Sequence, residues 1–157
     1  MEVNGLPLHP LVVHAVVVFV PLGALSAILF AVVPRWRWLL RWPTLVLAVG
    51  AVVVTRVAVL SGTNLKSARH FSGPLVDRHV MWGHRLEYAV WGFAVVAVVA
   101  CWVLPYAVPL VGREDRESPM ASLTTVVTVL LPLAAAVVLA FAMITGDAGA
   151  QTVWKLS

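Results

Sequence analysis

The chain has 157 residues, of which 61% are hydrophobic and 11% charged, with a formal net charge of +4. Roughly a quarter of the residues in ordinary soluble domains are charged, so this composition excludes a soluble globule and points to one domain held in lipid. Nine arginines and two lysines stand almost entirely in short connections rather than along one basic face, which excludes a nucleic-acid binder and makes the excess charge a matter of membrane topology.

Leu8 to Val33 contains no Asp, Glu, Lys or Arg, and at about 1.5 Å per residue it crosses a hydrocarbon core of about 30 Å with some tilt. No Lys or Arg precedes it, and it outruns the apolar region of a signal peptide, so it is expected to stay as the first span. Pro34 to Trp42 (PRWRWLLRW) then brings three arginines and three tryptophans together, the composition of a short loop among headgroups. A second span is expected over Pro43 to Gly62, opened by a proline at the first helical position and stopped by Ser61-Gly62; Arg56 lies inside it. Thr63 to Arg78 is polar, carries Gly73-Pro74, and reads as the longest connection. The third span, His79 to Leu104, is polar in its first third (His79, His84, Arg85, Glu87) and apolar beyond, which suits a polar end turned towards a protein interior. Beyond the charged segment Gly112 to Pro119, the fourth span covers Ala121 to Thr145 and closes at Gly146. The expected fold is an all-α integral membrane protein, a bundle of four transmembrane helices in the lipid bilayer.

Orientation follows from the connections. Arg35, Arg37, Arg41, Arg113 and Arg116 fall on one side, and Lys66, Arg69, Arg78 and Lys155 on the other. The first loop has three arginines and no acid, so both termini are expected outside the cytoplasm. Cys101, the only cysteine, sits in an apolar run, which leaves no disulfide or cysteine zinc site and reads as a small buried hydrophobe.

An internal repeat organises these spans. His9-Pro-Leu-Val-Val-His14 opens the first and His79-Val-Met-Trp-Gly-His84 the third; each run reaches a proline (Pro34, Pro105), and Ser61-Gly62 and Thr145-Gly146 close the second and fourth. A duplicated helical hairpin, packed about a pseudo-twofold axis along the membrane normal, accounts for the pattern.

Residues five apart on a helix differ by about 140° in direction and 7.5 Å in height, so only one histidine of each pair can face a small ligand. His9 and His79 belong at headgroup level, where imidazole needs no special role. His14 and His84 lie about 10 Å further in, at matched depth on the first and third helices. Intramembrane ionisable groups are candidates for function, and two imidazoles facing across a four-helix bundle suit bis-histidine ligation of a b-type haem. Arg56 falls at that depth, and Glu87 one turn along the His84 face; Arg56 either pairs with Glu87 or neutralises a haem propionate. The alternative is zinc or non-haem iron on His14, His84 and Glu87, against which Arg56 would stand as a repelling charge. A non-catalytic scaffold that binds no cofactor, or a proton-handling protein, is also compatible. Trp82, Trp91 and Tyr88 read as interface anchors or as a cofactor lining, and His70 as a solvated loop residue. With no Gly-rich phosphate loop, nucleophile elbow, HExxH or CxxC in the sequence, hydrolase and nucleotide chemistry have no support, and the reading leans away from an enzyme.

HPLVVHAVVVFVPLG at 9–23, the helix end SGTNLK, the second HVMWGH and the closing ITGDAGAQTVWKL together resemble the domain of unknown function 2231 family of small bacterial membrane proteins, over nearly the whole chain. Members look like four-span proteins opening on an HPxxVHFP-type motif, onto which His9, Pro10, His14 and Pro21 fall; Ala15 stands where Phe is typical, and the proline is displaced. The resemblance implies the plasma membrane of a bacterium. Some relatives are joined to Rieske-type iron–sulfur domains, which implies redox company, with a redox protein partner or a homo-oligomer as the associations to look for.

Overall fold

A stretch that is apolar on every side has no face to offer water and must be surrounded by lipid or protein along its length. A computed structural model, describing residues 2, 3, 6–106 and 121–154, makes each such stretch a helix: α1 (Leu8–Val32), α2 (Arg37–Ala68), α3 (Pro74–Val103) and α4 (Ala121–Trp154). All four are long and apolar enough to cross a membrane. A single 3-10 turn, Pro34–Trp36, joins α1 to α2, and a short antiparallel bridge pairs Glu2–Val3 with Leu6–Pro7 ahead of α1. The charged segment holding Arg113 and Arg116, and Lys155, lie outside the described residues.

The helices form a ring. α1 packs most extensively on α2 and α3 on α4; α2 on α3 and α1 on α4 close the circuit, while α1 and α3 meet only briefly across the diagonal. This is an up-down-up-down bundle, in which α1 and α3 run the same way.

Helix ends depart from the sequence reading in one direction: the helices continue where stops were expected. α2 starts at Arg37, takes Pro43 in its second turn and runs through Ser61-Gly62 to Ala68. The polar residues that follow are helical, with Thr63 Oγ1 and Ser67 Oγ donating to the carbonyls four residues back. α4 likewise passes Gly146 and reaches Trp154. Only 69–73 remain as the connection between α2 and α3, turned by His70 at φ 51° and Gly73 at φ 129°. That last value favours glycine, and Pro74 then opens α3 with its φ already set. Lys66 Nζ to Asp77, at 2.7 Å, ties the two helices just beyond the turn.

The interior is built from small side chains, as close helix packing in lipid requires. The shift that carries His9 onto His79 carries buried Val16 onto Leu86, Val20 onto Val90, Ala24 onto Ala94, Ala27 onto Ala97 and Ala31 onto Cys101, every one of them buried. Phe30 maps onto Ala100 and Gly23 onto Phe93, so the two fully buried phenyl rings fill different levels, each matched with a small residue on the diagonal helix. On the other diagonal, the shift that carries Gly62 onto Gly149 carries Thr44 onto Leu131, Ala48 onto Ala135, Ala51 onto Val138 and Ser61 onto Ala148, again all buried. In this register Ser61-Gly62 falls on Ala148-Gly149 rather than on Thr145-Gly146, one helical turn away.

Candidate functional site

At the end of the bundle where α1 and α3 begin, His9 and His79 meet across the diagonal. Their ring centroids are 6.1 Å apart and the planes are inclined by 71°. His9 Nδ1 lies 2.9 Å from the carbonyl of Ala58 on α2, and His79 Nδ1 lies 3.2 Å from the carbonyl of Thr145 on α4. A carbonyl only accepts, so each Nδ1 carries a proton, and the lone pair of a neutral ring stands on Nε2. Both rings are half-buried.

Glycine makes the approach possible. A methyl group at position 62 would stand 2.9 Å from Cε1 and Nδ1 of His9, and one at position 149 would stand 2.9 Å from Cε1 of His79. A methyl group at position 83 or 92 would meet nothing within 4 Å. Alanine at 62 or 149 is therefore expected to push its imidazole off the carbonyl and lower the melting temperature in detergent, an overpacking cost of about 1–3 kcal/mol set against a helix-propensity gain of about 1 kcal/mol. Gly83→Ala and Gly92→Ala serve as controls without that loss; equal behaviour of all four would show that the close approach is immaterial.

His14 and His84 are not brought together. His14 is exposed on the outer surface of α1, its Nδ1 donating at 2.6 Å to Pro10, the carbonyl one turn back on its own helix. His84 sits at the α2–α3 seam, 45% exposed in its side chain, with Nδ1 3.6 Å from Glu87 Oε2, too far for a hydrogen bond. The expectation of these two as facing ligands fails on direction rather than depth. An α1 that is apolar all round gives no moment from which to read its inner face, and five residues of helix turn His14 well away from His9.

Arg56 pairs with Glu87. Nη1 to Oε1 is 3.0 Å, with the Arg56 side chain 53% exposed and that of Glu87 only 7%. Arg56 thus closes over a buried carboxylate and presents its outer side to a groove of about 410 Å³ between α2 and α3, walled by Val59, Leu60, Thr63, Asn64 and Ser67 with His84 opposite. A set of His14, His84 and Glu87 does not assemble, and no three His, Cys, Asp or Glu side chains among the described residues are placed to share an ion. One polar group in the interior has no partner among the described residues: Thr55 Oγ1, 2% exposed, on α2 one turn below Ala58. Tyr88 and Trp91 point outward; Trp82 packs on Phe141, under the guanidinium of Arg85. His70 is exposed in its turn.

At the opposite end, Arg37 is a residue whose role the sequence did not reveal. It is buried to 6% exposure and donates Nε to Phe30 (3.2 Å), Nη2 to Ala31 (2.9 Å) and Nη1 to Pro105 (3.4 Å), all backbone carbonyls. Its neighbour Arg41 shows the expected interface behaviour, donating to the Tyr106 hydroxyl at 2.7 Å and lying over Trp42 and Trp102. Cys101 is buried, 3.4 Å from the Arg41 carbonyl.

Against known proteins, the family model described as Predicted membrane protein (DUF2231) matches residues 5–157. The chain belongs to that family. No curated protein and no solved structure matches it. For this DUF2231 member, function has to be argued from the two polar centres above, the His9–His79 pair and the Arg56–Glu87 groove.

Proposed function

We propose that this protein is a small electron-transfer or accessory redox subunit of a bacterial plasma membrane, built from a duplicated hairpin, in which His9 and His79 seat a b-type haem. The observation that carries the reading is the pair itself. His9 and His79, with ring centroids 6.1 Å apart across the diagonal, are the residues that would hold the haem through Nε2. Each also has its Nδ1–H fixed by a carbonyl, the outer bond that orients metal-binding histidines and raises the basicity of Nε2.

Two imidazoles without a third protein ligand suit a centre that brings its own equatorial nitrogens, which favours haem over zinc or non-haem iron. When bound, haem would supply one-electron transfer; the protein's part would be to orient the Nε2 atoms of His9 and His79 at the bundle end. Arg56, engaged with Glu87 and facing the α2–α3 groove, is not assigned to a propionate. With both termini outside the cytoplasm, as the arginine-rich first loop favours, the pair lies at the outer face, within reach of an extracytoplasmic redox partner. A homo-oligomer is compatible with the extensive exposed apolar surface.

An absorption spectrum of the purified protein in detergent, before and after haem addition, tests this. A six-coordinate b-type spectrum is expected, lost or reduced to five-coordinate in His9→Ala and in His79→Ala, and retained in His14→Ala and His84→Ala. Failure of the wild type to take up haem would leave the scaffold reading, in which the two imidazoles only tie α1 to α2 and α3 to α4.

A further inference from the structure

The same two shifts in residue number, applied to the charged residues, expose an asymmetry. On α4 the counterpart of Arg56 is Met143, and on α1 the counterpart of Glu87 is Val17; both are more than 60% exposed and purely apolar. The α4–α1 seam is thus made without charge at the depth where the α2–α3 seam has an ion pair. Glu87 is buried where Val17 is exposed, so the ion pair is a feature of one seam alone. A charged group inside a span is costly to insert, so its presence on one seam alone needs a ligand-side explanation.

The groove supplies one. Glu87 lies behind Arg56 and takes no part in the lining, so the surface met from the bilayer is guanidinium rather than carboxylate. Thr63 and Ser67 spend their hydroxyl protons on carbonyls of their own helix, which leaves Arg56 as the cationic donor of the lining. Val59 and Leu60 make the apolar part of the wall. Arg69, just past the end of α2, and Arg78, in the second turn of α3, are exposed at this end of the bundle. A single buried-side cation with an apolar flank, opening sideways to lipid beneath a basic rim, matches an amphiphile with an anionic head.

We propose that the α2–α3 groove binds an anionic phospholipid, its phosphate on the outer face of Arg56, its polar head towards Thr63, Asn64 and Ser67, and its acyl chains running inward from Arg56. Guanidinium pairs with phosphate through parallel N–H···O bonds, and basic clusters at a membrane surface favour anionic lipid. The assignment stands apart from the His9–His79 reading and survives its failure.

The test uses the full chain in mild detergent, stripped of lipid and titrated with phosphatidylglycerol, phosphatidylcholine or inorganic phosphate, with bound lipid counted by native mass spectrometry. Wild type is expected to retain phosphatidylglycerol at least tenfold better than phosphatidylcholine. Thr63→Trp, which fills the groove without touching the ion pair, and the paired change Arg56→Met with Glu87→Val, which copies the other seam, should each abolish the preference. Arg69→Gln with Arg78→Gln should weaken it but leave phosphatidylglycerol preferred, since Arg56 is the direct contact. Equal retention of the two lipids, or an undiminished preference in both groove variants, would overturn the proposal. So would competition by millimolar inorganic phosphate as effective as by the lipid, since that would make the site one for a free anion.

Discussion

Arg37→Leu is expected to destabilise the bundle by about 3–5 kcal/mol, read as a fall in thermal midpoint and in the denaturing detergent needed to unfold it. The last carbonyls of a helix have no intrahelical donors and carry the negative end of its dipole. Arg37 answers two of them at the end of α1, Phe30 and Ala31, and reaches across to Pro105 beyond α3. Leucine would leave these buried acceptors without a donor, at about 1–3 kcal/mol each before relaxation. Arg37→Lys should recover less than half, because one ammonium cannot span three carbonyls in a fixed fork. A loss under about 0.5 kcal/mol, the scatter of surface substitutions, would mean that water or lipid headgroups replace the guanidinium without difficulty.

The second large effect concerns the Arg56–Glu87 pair. Arg56→Met is expected to cost about 3 kcal/mol, because it strands a carboxylate that is 7% exposed. Glu87→Val should cost less, since Arg56 is half-exposed and can extend towards the headgroups. The double change puts in the side chains that Met143 and Val17 already place on the opposite seam, and should return to within about 1 kcal/mol of wild type, a coupling of several kcal/mol in the double-mutant cycle. Additive losses would show that each residue acts through some other neighbour.

The four helices were legible because long uncharged runs have few alternatives in a chain this apolar. Their ends were harder to read. Gly62 and Gly146 look like stops, yet the helices run on through polar residues, and at positions 62 and 149 glycine serves a side-to-side contact with an imidazole. The same two glycines were the available signal for the site: placing Gly62 on Gly149, instead of on Gly146, marks out His9 and His79 as the residues that need space on a neighbouring helix. Depth alone favoured His14 and His84, because it ignores that a ring in the first turn can be covered by the next helix as well as one further in. Arg37 was read as a headgroup arginine like Arg35 and Arg41, since sequence does not tell which arginine of PRWRWLLRW turns inward. The approach of Arg56 to Glu87 was readable from depth, whereas the lopsidedness of the seams was hidden until the correct register of the halves was known.

The unequal placing of the two phenyl rings restricts how such a protein can be assembled. If residues 1–68 were expressed alone and paired with a second copy, Phe30 would face Phe30 at one level and Gly23 would face Gly23 at another, leaving the first overfilled and the second hollow. The same conflict, inverted, awaits a dimer of the second half. Each hairpin has become the other's mould, so co-expressed halves should find their unlike partner while neither half forms a stable pair with itself.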